Sequence, residues 1–451
     1  MLLSSSIPLF LLLLLYVPAA SLANGPWQHV PAGPPDPILG IAAEFRACDH
    51  PGKTNVCVGA YRTDAGLPWV LPTVLTAQER LLQQEREGTS NKEYLPIEGD
   101  STFLQYAMEF AYGSSGSDTH HIAAVQTLSG TGACRIAGEF LRQQHQGNPC
   151  IYIPTPTWGN HWKIFAAAGL ETQPYRYFHA KTLDLDIEGL LEDITAAPDG
   201  SIILLHACAH NPTGCDPTQE QWKRIARVCQ AKHHVVLFDS AYQGFASGDP
   251  EADAWALRYF VSLGDIPILL AQSFAKNFGL YGERCGTLSV VCRAAEERER
   301  VVSQLRTIIR PMYSSPPKHG SSIVSTILSD AALAQDYKAE CASMADRMLS
   351  IRIRFAERLQ ELADNDTTGG ALDWSHITRQ IGMFAYTGHL QPDMCDRLML
   401  PDNDGEHAPI FLTRDGRISL AGLNDANLER VAQAIHAVTT TNAKAAEVAP
   451  Q

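Results

Sequence analysis

Short apolar runs separated by amphipathic segments dominate the chain from about residue 120 onward. The predicted strands are His121–Leu128, Ile151–Ile153, Ser201–His206, Val235–Phe238 and Ile266–Ala271. These runs are continuous rather than alternating, which is typical of strands buried on both faces of a parallel sheet. Helical spacing follows in Ala133–Gln144 and in a segment that reaches Ala231 behind a capping box of Thr218 and Gln221. The alternation predicts an α/β fold, with helices on both faces of a mostly parallel sheet.

The segments on either side of this central part have a different texture. They are predicted as a strand over Val56–Arg62, a helix over Leu75–Glu87, a loop over Asn91–Pro96, a long charged helix beyond Met344, and strands over Gly382–Tyr386 and Gly416–Leu420. Gly369-Gly370 and Pro401–Gly405 are predicted to be surface loops. The change of texture indicates a second, smaller α+β domain.

The predicted divisions are residues 1–23 as a leader, 24–35 as an N-terminal arm, 36–68 together with 344–440 as the small domain, 69–343 as the large domain, and 441–451 as a disordered tail. The arm is rich in proline, which excludes a helix or a central strand. We expect it to lie extended on another surface, such as a partner subunit.

Composition and charge exclude several function classes. The net charge is −14 and no basic patch stands out, so we expect no nucleic-acid partner. The 11 cysteines are odd in number and none has CxxC spacing. Several lie in apolar runs, which indicates reduced, packed thiols rather than a disulfide scaffold or a zinc site. We therefore predict no metal.

The first residues form a hydrophobic leader. An apolar core at Leu9–Val17 precedes the small-x-small site Ser21-Leu22-Ala23, which is typical of a secretory signal peptide. The core is too short to span a bilayer comfortably, so we expect no stable membrane span. No Lys or Arg precedes it, and the arginines of a mitochondrial transit peptide are missing. A wrongly assigned start and an unusual organelle leader are the alternatives.

One lysine stands where open α/β sheets bind their ligands. Lys276 lies in the loop that leaves the strand Ile266–Ala271, outside its carboxyl end. Lysine amines bond covalently to carbonyl groups, including that of pyridoxal 5′-phosphate (PLP). Ser273 and Arg284 flank it with a hydroxyl and a guanidinium, which are suited to a phosphate. A solvated loop lysine is the alternative, and the other motifs decide between the two.

Further polar groups follow the other predicted strands. Ser129–Gly132 stands between a strand and a helix and offers backbone N–H groups to a phosphate, although a simple tight turn would look the same. Trp158 could stack on an aromatic cofactor or belong to the core. Asp239 ends an apolar strand, and beside a pyridinium nitrogen it would keep that nitrogen protonated. Its alternative is a helix cap. Tyr242 and Asn211 could each bind a ring oxygen.

Taken together, the segments 206–214, 238–248 and 272–284 closely resemble the aspartate aminotransferase family, which consists of class I PLP enzymes of fold type I. The resemblance runs from about residue 26 to residue 440. It implies Lys276, Asp239 and Tyr242 as catalytic residues; Gly130, Thr131, Trp158, Asn211, Asp239, Tyr242, Ser273, Lys276, Arg284 and Tyr94 as cofactor-binding residues; and Arg417, Arg310, Gly59, Trp158 and Asn211 as substrate-binding residues.

The resemblance also implies what these residues do. Lys276 would bond to PLP and move the substrate proton, while Asp239 would pair with the pyridine nitrogen. Arg417 would bind the substrate α-carboxylate. Tyr94 and Arg310 would reach across a homodimer with shared active sites, Tyr94 to the cofactor phosphate and Arg310 to the side-chain carboxylate.

The implied reaction is ping-pong transfer of an amino group between L-aspartate and 2-oxoglutarate, giving oxaloacetate and L-glutamate. One alternative is a broader enzyme that also accepts aromatic amino acids. The other is a non-catalytic secreted protein that uses the scaffold only to bind. Loss of Lys276, Asp239 or Arg417 would have favoured the latter, and all three are present.

Local details of the chain bear on its compartment. Gly25–Trp27, Gly33–Pro37 and Tyr281–Arg284 resemble the mitochondrial matrix form of the family, which conflicts with a secretory leader. The compartment is therefore left open.

The chain departs from the family pattern at two places, which are Ser315, where the family commonly has Asn, and a longer loop over Leu398–Pro409. We expect neither to affect the chemistry, although the loop could alter closure of the small domain.

Overall fold

The computed structural model describes residues 25–34, 36–113, 121–366, 372–400 and 408–448, with side chains up to residue 440. The helices are α1 (Leu39–Ala47), α2 (Pro72–Arg86), α3 (Ser101–Tyr112), α4 (Ser129–Gln144), α5 (Asn160–Ala167), α6 (Ile187–Ala196), α7 (Gln219–Ala231), α8 (Pro250–Asp253), α9 (Trp255–Ser262), α10 (Ala295–Met312), α11 (Lys318–Ser329), α12 (Ala331–Asp364), α13 (His376–Arg379), α14 (Pro392–Met399) and α15 (Leu428–Val448). The strands are β1 (Thr54–Asn55), β2 (Ile122–Leu128), β3 (Cys150–Thr155), β4 (Glu171–Arg176), β5 (Phe178–His179), β6 (Asp184–Leu185), β7 (Ile202–His206), β8 (Val235–Ser240), β9 (Ile268–Ser273), β10 (Cys285–Val291), β11 (Phe384–Tyr386), β12 (Ile410–Phe411) and β13 (Arg417–Ser419).

A seven-stranded sheet with the order β2-β10-β9-β8-β7-β3-β4 forms the centre of the molecule. Every pairing in it is parallel except the two made by β10, which runs antiparallel to both of its neighbours. The predicted α/β fold with a mostly parallel sheet and flanking helices is confirmed. Within the described residues, the helices are all too short or too polar to cross a bilayer.

The inner strands are apolar throughout because both of their faces are covered. Ile203 and Leu205 of β7 belong to one buried apolar layer, and Ile202 and Leu204 belong to the layer on the other side of the sheet. Successive side chains of a strand point to opposite faces, so a strand between two layers needs an apolar residue at every position. This explains the continuous apolar runs in the sequence. All eleven cysteines are free and ten are buried, which confirms the expected packed thiols.

The carboxyl ends of six strands lie at one edge of this sheet. The strands β2, β3, β4, β7, β8 and β9 all run in the same direction, and antiparallel β10 starts at the edge where they end. Several predicted site residues lie at this edge: Gly130, Thr131, Trp158, Asn211, Tyr242 and Lys276 follow the strands, Asp239 and Ser273 lie in the last two residues of β8 and β9, and Arg284 precedes β10. The topology therefore collects residues from distant parts of the chain at a single edge, where open α/β sheets bind ligands.

One boundary prediction close to that edge was wrong. The segment Ser129–Gly132 was predicted as a loop before a helix starting at Ala133, but α4 begins directly at Ser129. Ser129 has φ of 60°, which turns the chain from strand into helix within a single residue. No loop is needed, and the first N–H groups of α4 lie at the edge of the sheet.

The predicted strand Val56–Arg62 was also wrong, because the ladder that β1 forms with β12 ends at Asn55. Val56 still bonds to neighbouring backbone, since its N–H donates to the carbonyl oxygen of Phe411 (2.9 Å) and its carbonyl oxygen accepts from the N–H of Ser419 (2.7 Å). Farther along, side chains supply partners for the backbone. The N–H of Cys57 donates to Asn55 Oδ1 (3.0 Å), and the N–H of Tyr61 donates to Tyr281 Oη (2.8 Å).

Several helix boundaries differ from the predictions. The helix predicted over Leu75–Glu87 is α2 (Pro72–Arg86), with proline in its first turn. The helix predicted beyond Met344 starts at Ala331, where the Asp330 carboxylate accepts two N–H groups as its cap. The capping box of Thr218 and Gln221 on α7 is confirmed.

Helix α15 runs to Val448 and so extends into the tail over 441–451, whose predicted disorder stays a prediction. The leader (1–23), Gly369-Gly370 and Pro401–Gly405 lie outside the described residues. The pairs β1–β12 and β11–β13 fall within the residues assigned to the small domain. The domain division itself stays a prediction.

Gly286 on β10 provides a test of how the sheet positions α4. A Cβ at this residue would lie 2.6 Å from the carbonyl oxygen of Gln272 and 2.7 Å from the backbone of Ser129. We expect Gly286→Ala to lower the free energy of unfolding by about 1–3 kcal/mol, the usual cost of overpacking. Urea unfolding measures this. Gly282→Ala is the control, because nothing lies within 4 Å of a Cβ at that position. Equal stability of the two variants would contradict the close contact.

Candidate active site

A cavity of about 420 Å³ opens at the carboxyl edge of the sheet. The predicted site residues that line it are Gly59, Gly130, Thr131, Trp158, Asn211, Asp239, Tyr242, Ser273, Lys276, Arg284 and Arg417. A larger groove of about 1040 Å³, between α3, β2 and α10, contains none of the predicted residues. The smaller cavity is therefore the candidate active site, because the reactive side chains converge there.

Lys276 lies in the loop after β9, and its amine donates to the carbonyl oxygen of Gly59 (2.6 Å). A Cβ on Gly59 would come within 2.7 Å of the Phe384 ring and 3.6 Å of the amine, so glycine is needed for this close approach. Burial, together with the charges of Arg417 and Arg284, lowers the pKa of Lys276 from 10.5 to about 8. A neutral amine is the form that acts as a nucleophile or base, and this environment makes it accessible.

Arg417 on β13 is buried, with 4% of its surface exposed. Its Nη1 donates to Asn211 Oδ1 and its Nη2 donates to the carbonyl oxygen of Cys57, both at 3.1 Å. The guanidinium also lies 4.1 Å from the centre of the Phe384 ring. Its Nε is buried and has no hydrogen-bond partner among the described residues. Because Arg417 lines the cavity and has no carboxylate partner among the described residues, its guanidinium is suited to binding a carboxylate from a ligand.

Asp239 near the end of β8 receives a hydrogen bond from His161, whose Nε2 lies 3.1 Å from Oδ2. Burial by itself raises the pKa of Asp239, but the hydrogen bond and charge of His161, together with His206, outweigh it and lower the pKa below its usual value. The carboxylate therefore stays ionised. Its other oxygen, Oδ1, has no hydrogen-bond partner among the described side chains, and the residue lines the cavity.

A chain of hydrogen bonds fixes the direction in which His161 donates. The backbone N–H of Asn211 donates to His206 Nδ1 (3.2 Å), so that nitrogen is an acceptor. Burial, with a contribution from His161, lowers the pKa of His206 to about 3, so its single proton is on Nε2 and is directed to Thr157 Oγ1 (3.2 Å). The Thr157 hydroxyl then donates to His161 Nδ1 (2.8 Å), which leaves the Nε2 proton of His161 for Asp239. The network holds Asp239 as an oriented anion.

The first turn of α4 forms one wall of the cavity through Ser129, Gly130 and Thr131. The N–H of Ser129 donates to the carbonyl oxygen of Arg284 (3.1 Å), but among the described residues no side chain caps the helix, so the next N–H groups of its first turn are available to an anion. Ser129 Oγ lies 2.9 Å from Ser273 Oγ, and a Cβ on Gly130 would lie 3.1 Å from the Cβ of Ser273. Together with Arg284, whose Nη1 is held by the carbonyl oxygen of Tyr281 (2.9 Å), these groups can surround a phosphate.

The two predicted aromatic residues border the same space. Tyr242 is buried, and burial raises the pKa of its hydroxyl, so the phenol remains a donor. Trp158 meets His161 edge to face, with 5.2 Å between ring centres. The tryptophan therefore packs against the residue that orients Asp239.

Cys134, His161 and Asp239 have donor atoms within 4.8 Å of one another and could be interpreted as metal ligands. Burial raises the pKa of the Cys134 thiol well above its usual value, and Asp239 raises it further. A protonated thiol is a poor ligand. Since His161 Nε2 also donates to Asp239, we interpret the trio as the support of that carboxylate.

Tyr94 and Arg310 do not join the cavity within a single chain. Tyr94 is 86% exposed, and Arg310 lies exposed at the end of α10 with its Nη1 donating to Ser314 Oγ (2.6 Å). Both were expected to act on the site of a partner subunit, and that role stays a prediction.

Sequence reasoning missed His161, Thr157, His206 and Tyr281. His161 and Asp239 are 78 positions apart, and no local spacing connects them. Tyr281 could have been found from the sequence, because it lies three positions before the predicted Arg284. Its ring lies 5.2 Å from the Lys276 amine, and its hydroxyl holds the backbone at Tyr61.

The depressed pKa of Lys276 can be measured directly. In cofactor-free protein we expect its amine to become reactive as the pH rises through about 8, because burial and two guanidinium groups disfavour the charged form. The measurement is acylation between pH 6 and 11, with the extent read on the Lys276 peptide by mass spectrometry. Exposed lysines in the same digest serve as the reference. A midpoint for Lys276 above pH 10 would contradict the proposed environment.

Comparisons with known proteins agree with this geometry. The family model described as aminotransferase class I and II matches residues 51–435. The mitochondrial aspartate aminotransferase of Gallus gallus is 46% identical, covering 93% of this chain and 96% of that protein. A mitochondrial aspartate aminotransferase structure from Trypanosoma brucei has a TM-score of 0.81 at 40% identity, covering 89% of this chain and 100% of that one.

A third comparison broadens the range of substrates among these relatives. The aromatic-amino-acid aminotransferase of Burkholderia pseudomallei, covalently bound to pyridoxal phosphate, has a TM-score of 0.83 at 36% identity, covering 92% of this chain and 99% of that one. A match over most of the length, in sequence and in fold, supports common descent with all three proteins. The chain therefore belongs to the class I and II aminotransferase family.

Proposed function

We propose that the protein is a PLP-dependent enzyme that transfers an amino group between L-aspartate and 2-oxoglutarate, giving oxaloacetate and L-glutamate. The observation that carries this proposal is the cavity itself. It brings together a buried amine (Lys276), an ionised carboxylate with an open oxygen (Asp239) and a buried guanidinium with an unpartnered donor (Arg417). The family relationship and the relatives named above support the same reaction.

The residues present fit PLP. The N–H groups of α4, Ser273 and Arg284 would hold its phosphate, Asp239 its ring nitrogen, and Tyr242 with Asn211 its ring oxygen, while Trp158 would cover the ring. The bound cofactor supplies a ring that takes up the electrons released from the substrate Cα. Asp239 favours this because an oriented anion keeps the ring nitrogen protonated.

Lys276 would have two tasks in this reaction. Its amine would bond covalently to the cofactor, and it would also remove the proton from the substrate Cα and return it. A pKa of about 8 leaves part of the amine neutral near neutral pH, as a base at that position requires. The Gly59 carbonyl, which accepts from Nζ, limits the directions in which the amine can point.

Arg417 would bind the substrate α-carboxylate. Asn211 and the Cys57 carbonyl hold two of its nitrogens, so the fork cannot turn freely, and the residue lines the cavity that the ligand would enter. Since all amino acids share the α-carboxylate, this contact fixes the substrate without selecting its side chain.

Selection of a dicarboxylate is assigned to Arg310 from a partner subunit in a homodimer, with Tyr94 also crossing the interface to the cofactor phosphate. Both side chains are exposed in the single chain. Leu75 and Leu82, one heptad apart on α2, are exposed apolar residues, as is Met312 beside Arg310. Apolar residues on one helix face are typical of a subunit contact.

A division into a large domain (69–343) and a small domain (36–68 with 344–440) belongs to this proposal, because it places Lys276 and Arg417 on different units.

The compartment of the protein stays a prediction. The Gallus gallus relative is a mitochondrial form, whereas the secretory leader was predicted over residues that the structure does not describe.

The second candidate is an aminotransferase that also accepts aromatic amino acids. It is favoured by the likeness to the Burkholderia pseudomallei structure. Arg310 is exposed, so its side chain could move aside for an apolar substrate, which is compatible with this second function.

Two arginine variants separate these functions. Losing a buried charge pair costs about 2–5 kcal/mol, or roughly 30- to several-thousand-fold at ~1.4 kcal/mol per decade. We expect Arg310→Ala to lower kcat/KM for aspartate and glutamate by that order, because the side-chain carboxylate loses its fork. Activity on phenylalanine should hold or rise slightly. Arg417→Ala should weaken all amino acids alike, since they share the α-carboxylate.

The matched control is Arg306→Ala, one turn earlier on α10, which removes an exposed arginine paired with Glu98. It should leave the ratio of aspartate to phenylalanine activity unchanged. Equal losses on both substrates in Arg310→Ala would mean that another residue binds the side-chain carboxylate. Absence of aspartate transamination by the wild-type protein would refute the proposed function.

A further inference from the structure

The loop between β7 and α7 places Asn211 at the cavity. The backbone of this loop has an unfavourable conformation that other groups must stabilise. We call residues 207–216 the Asn211 loop. Ala209 within it has φ of 48°, in the left-handed region that residues with a Cβ rarely adopt. A residue in such a conformation persists only when its surroundings hold it there.

One side chain holds this turn from within the loop. The Asp216 carboxylate accepts the N–H of Ala209 at Oδ2 (2.6 Å) and the N–H of His210 at Oδ1 (2.8 Å). Both of its oxygens are therefore used by the two residues that immediately precede Asn211. The carboxylate closes the loop on itself, and Asn211 lies at the tip.

The position of Asn211 matters for two parts of the site. Its Oδ1 accepts from Arg417 Nη1 (3.1 Å), and its N–H donates to His206 Nδ1 (3.2 Å). The first contact orients the guanidinium, and the second sets the proton direction in the network that ends at Asp239. A displaced loop would disturb both.

We propose that Asp216 is a positioning residue of the reaction, a carboxylate clamp on the N–H groups of Ala209 and His210 that presents Asn211 to Arg417 and to the His206 network. This inference rests on the proposed function for its kinetic consequence. The clamp itself rests only on the hydrogen bonds and the backbone conformation of the loop.

The packing around the loop makes the clamp necessary. Gly382 lies so close that a Cβ there would come within 2.7 Å of the Ala209 Cβ, and the N–H of Ile381 donates to the carbonyl oxygen of Gly214 (2.8 Å). These contacts pack against the Ala209 side chain and hold the backbone at Gly214. They provide no acceptor for the two N–H groups that Asp216 satisfies, so loss of the carboxylate would leave both without their partner.

The ionisation of Asp216 sets the conditions for a test. Its pKa is raised to about 6, because burial and the charge of Asp253 outweigh the hydrogen bonds from the N–H groups of His210 and Ala209, which lower it. The clamp is therefore fully ionised at pH 8. The other ionisable groups that face Asp216 are Asp253 on α8, Tyr177 between β4 and β5, and Cys208 and Cys215 in the loop.

The test variant is Asp216→Asn, assayed at pH 8 with aspartate and 2-oxoglutarate. An amide has one acceptor oxygen and directs its NH₂ at the second N–H group, so one bond is lost at nearly constant volume. We expect KM for aspartate to rise and kcat/KM to fall roughly 10- to 100-fold, the range for a displaced binding group. The fall in kcat should be smaller than the fall in kcat/KM.

The matched control is Asp330→Asn. Asp330 is also a carboxylate that accepts two backbone N–H groups, those of Ala332 and Leu333 at the start of α12, and it is not among the residues that line the cavity. We expect it to lower the urea midpoint as Asp216→Asn does while leaving KM within about twofold, since distant sites act independently. Equal kinetic losses in both variants would show a general stability effect and overturn the proposal.

A double variant tests the route. If Asp216 acts in part through the Asn211 side chain, adding Asp216→Asn to Asn211→Ala should lower kcat/KM by clearly less than Asp216→Asn lowers it in the wild type, because the contact with Arg417 is already lost. A full additional loss in the double variant would overturn the assignment. A kcat/KM within about twofold of the wild type for Asp216→Asn alone would do the same.

Hydrogen exchange tests the clamp independently of activity. In wild-type protein, the N–H groups of Ala209 and His210 should be protected at pH 8, and at least one should lose protection as Asp216 is protonated below pH 6, after correction for intrinsic exchange. This measurement decides the matter if Asp216→Asn does not fold. Unchanged protection between pH 8 and pH 5 would overturn the clamp, whereas an inactive wild-type protein would refute only the proposed function.

Discussion

The arrangement of the cavity depends on a buried arginine that has no carboxylate partner among the described residues. Arginine stays protonated in proteins, and a buried charge is costly unless other groups compensate it. For Arg417 these groups are the Asn211 side chain, the Cys57 carbonyl and the Phe384 ring. They come from three distant segments of the chain, so stabilising this one charge also fixes their relative positions.

The same charge prepares the site for its ligand. Arg417 contributes to the lowered pKa of Lys276, and it lines the cavity, where an anion can bind beside its guanidinium. A substrate carboxylate at that position would supply the missing counter-charge and reduce the repulsion acting on Lys276. On this account, binding of the substrate raises the basicity of the amine that removes the substrate proton. The pKa of Asp239 depends instead on burial, on the hydrogen bond and charge of His161, and on His206.

Much of the site could be predicted because its residues follow buried strands. Apolar runs show where parallel strands lie, and the carboxyl ends of such strands share one edge, so Asp239, Asn211 and Lys276 could be expected together. Their pairing with groups such as His161 could not be predicted, because it depends on the spatial neighbours of β8 and not on local spacing. The strand predicted at Val56–Arg62 was wrong for a related reason. Its apolar residues pack in the core, but its backbone bonds to side chains such as Asn55 and Tyr281.

Our central proposal is that each active site takes one amino group from an amino acid and cannot take a second until an oxo acid has accepted the first. The most direct test is a single half-reaction, in which protein loaded with PLP is mixed with excess L-aspartate in the absence of 2-oxoglutarate and the released oxaloacetate is counted. The account predicts one oxaloacetate per Lys276, after which release stops until 2-oxoglutarate is added, because a ping-pong enzyme must be returned to its starting form. No release, or continued release without an oxo acid, would contradict it.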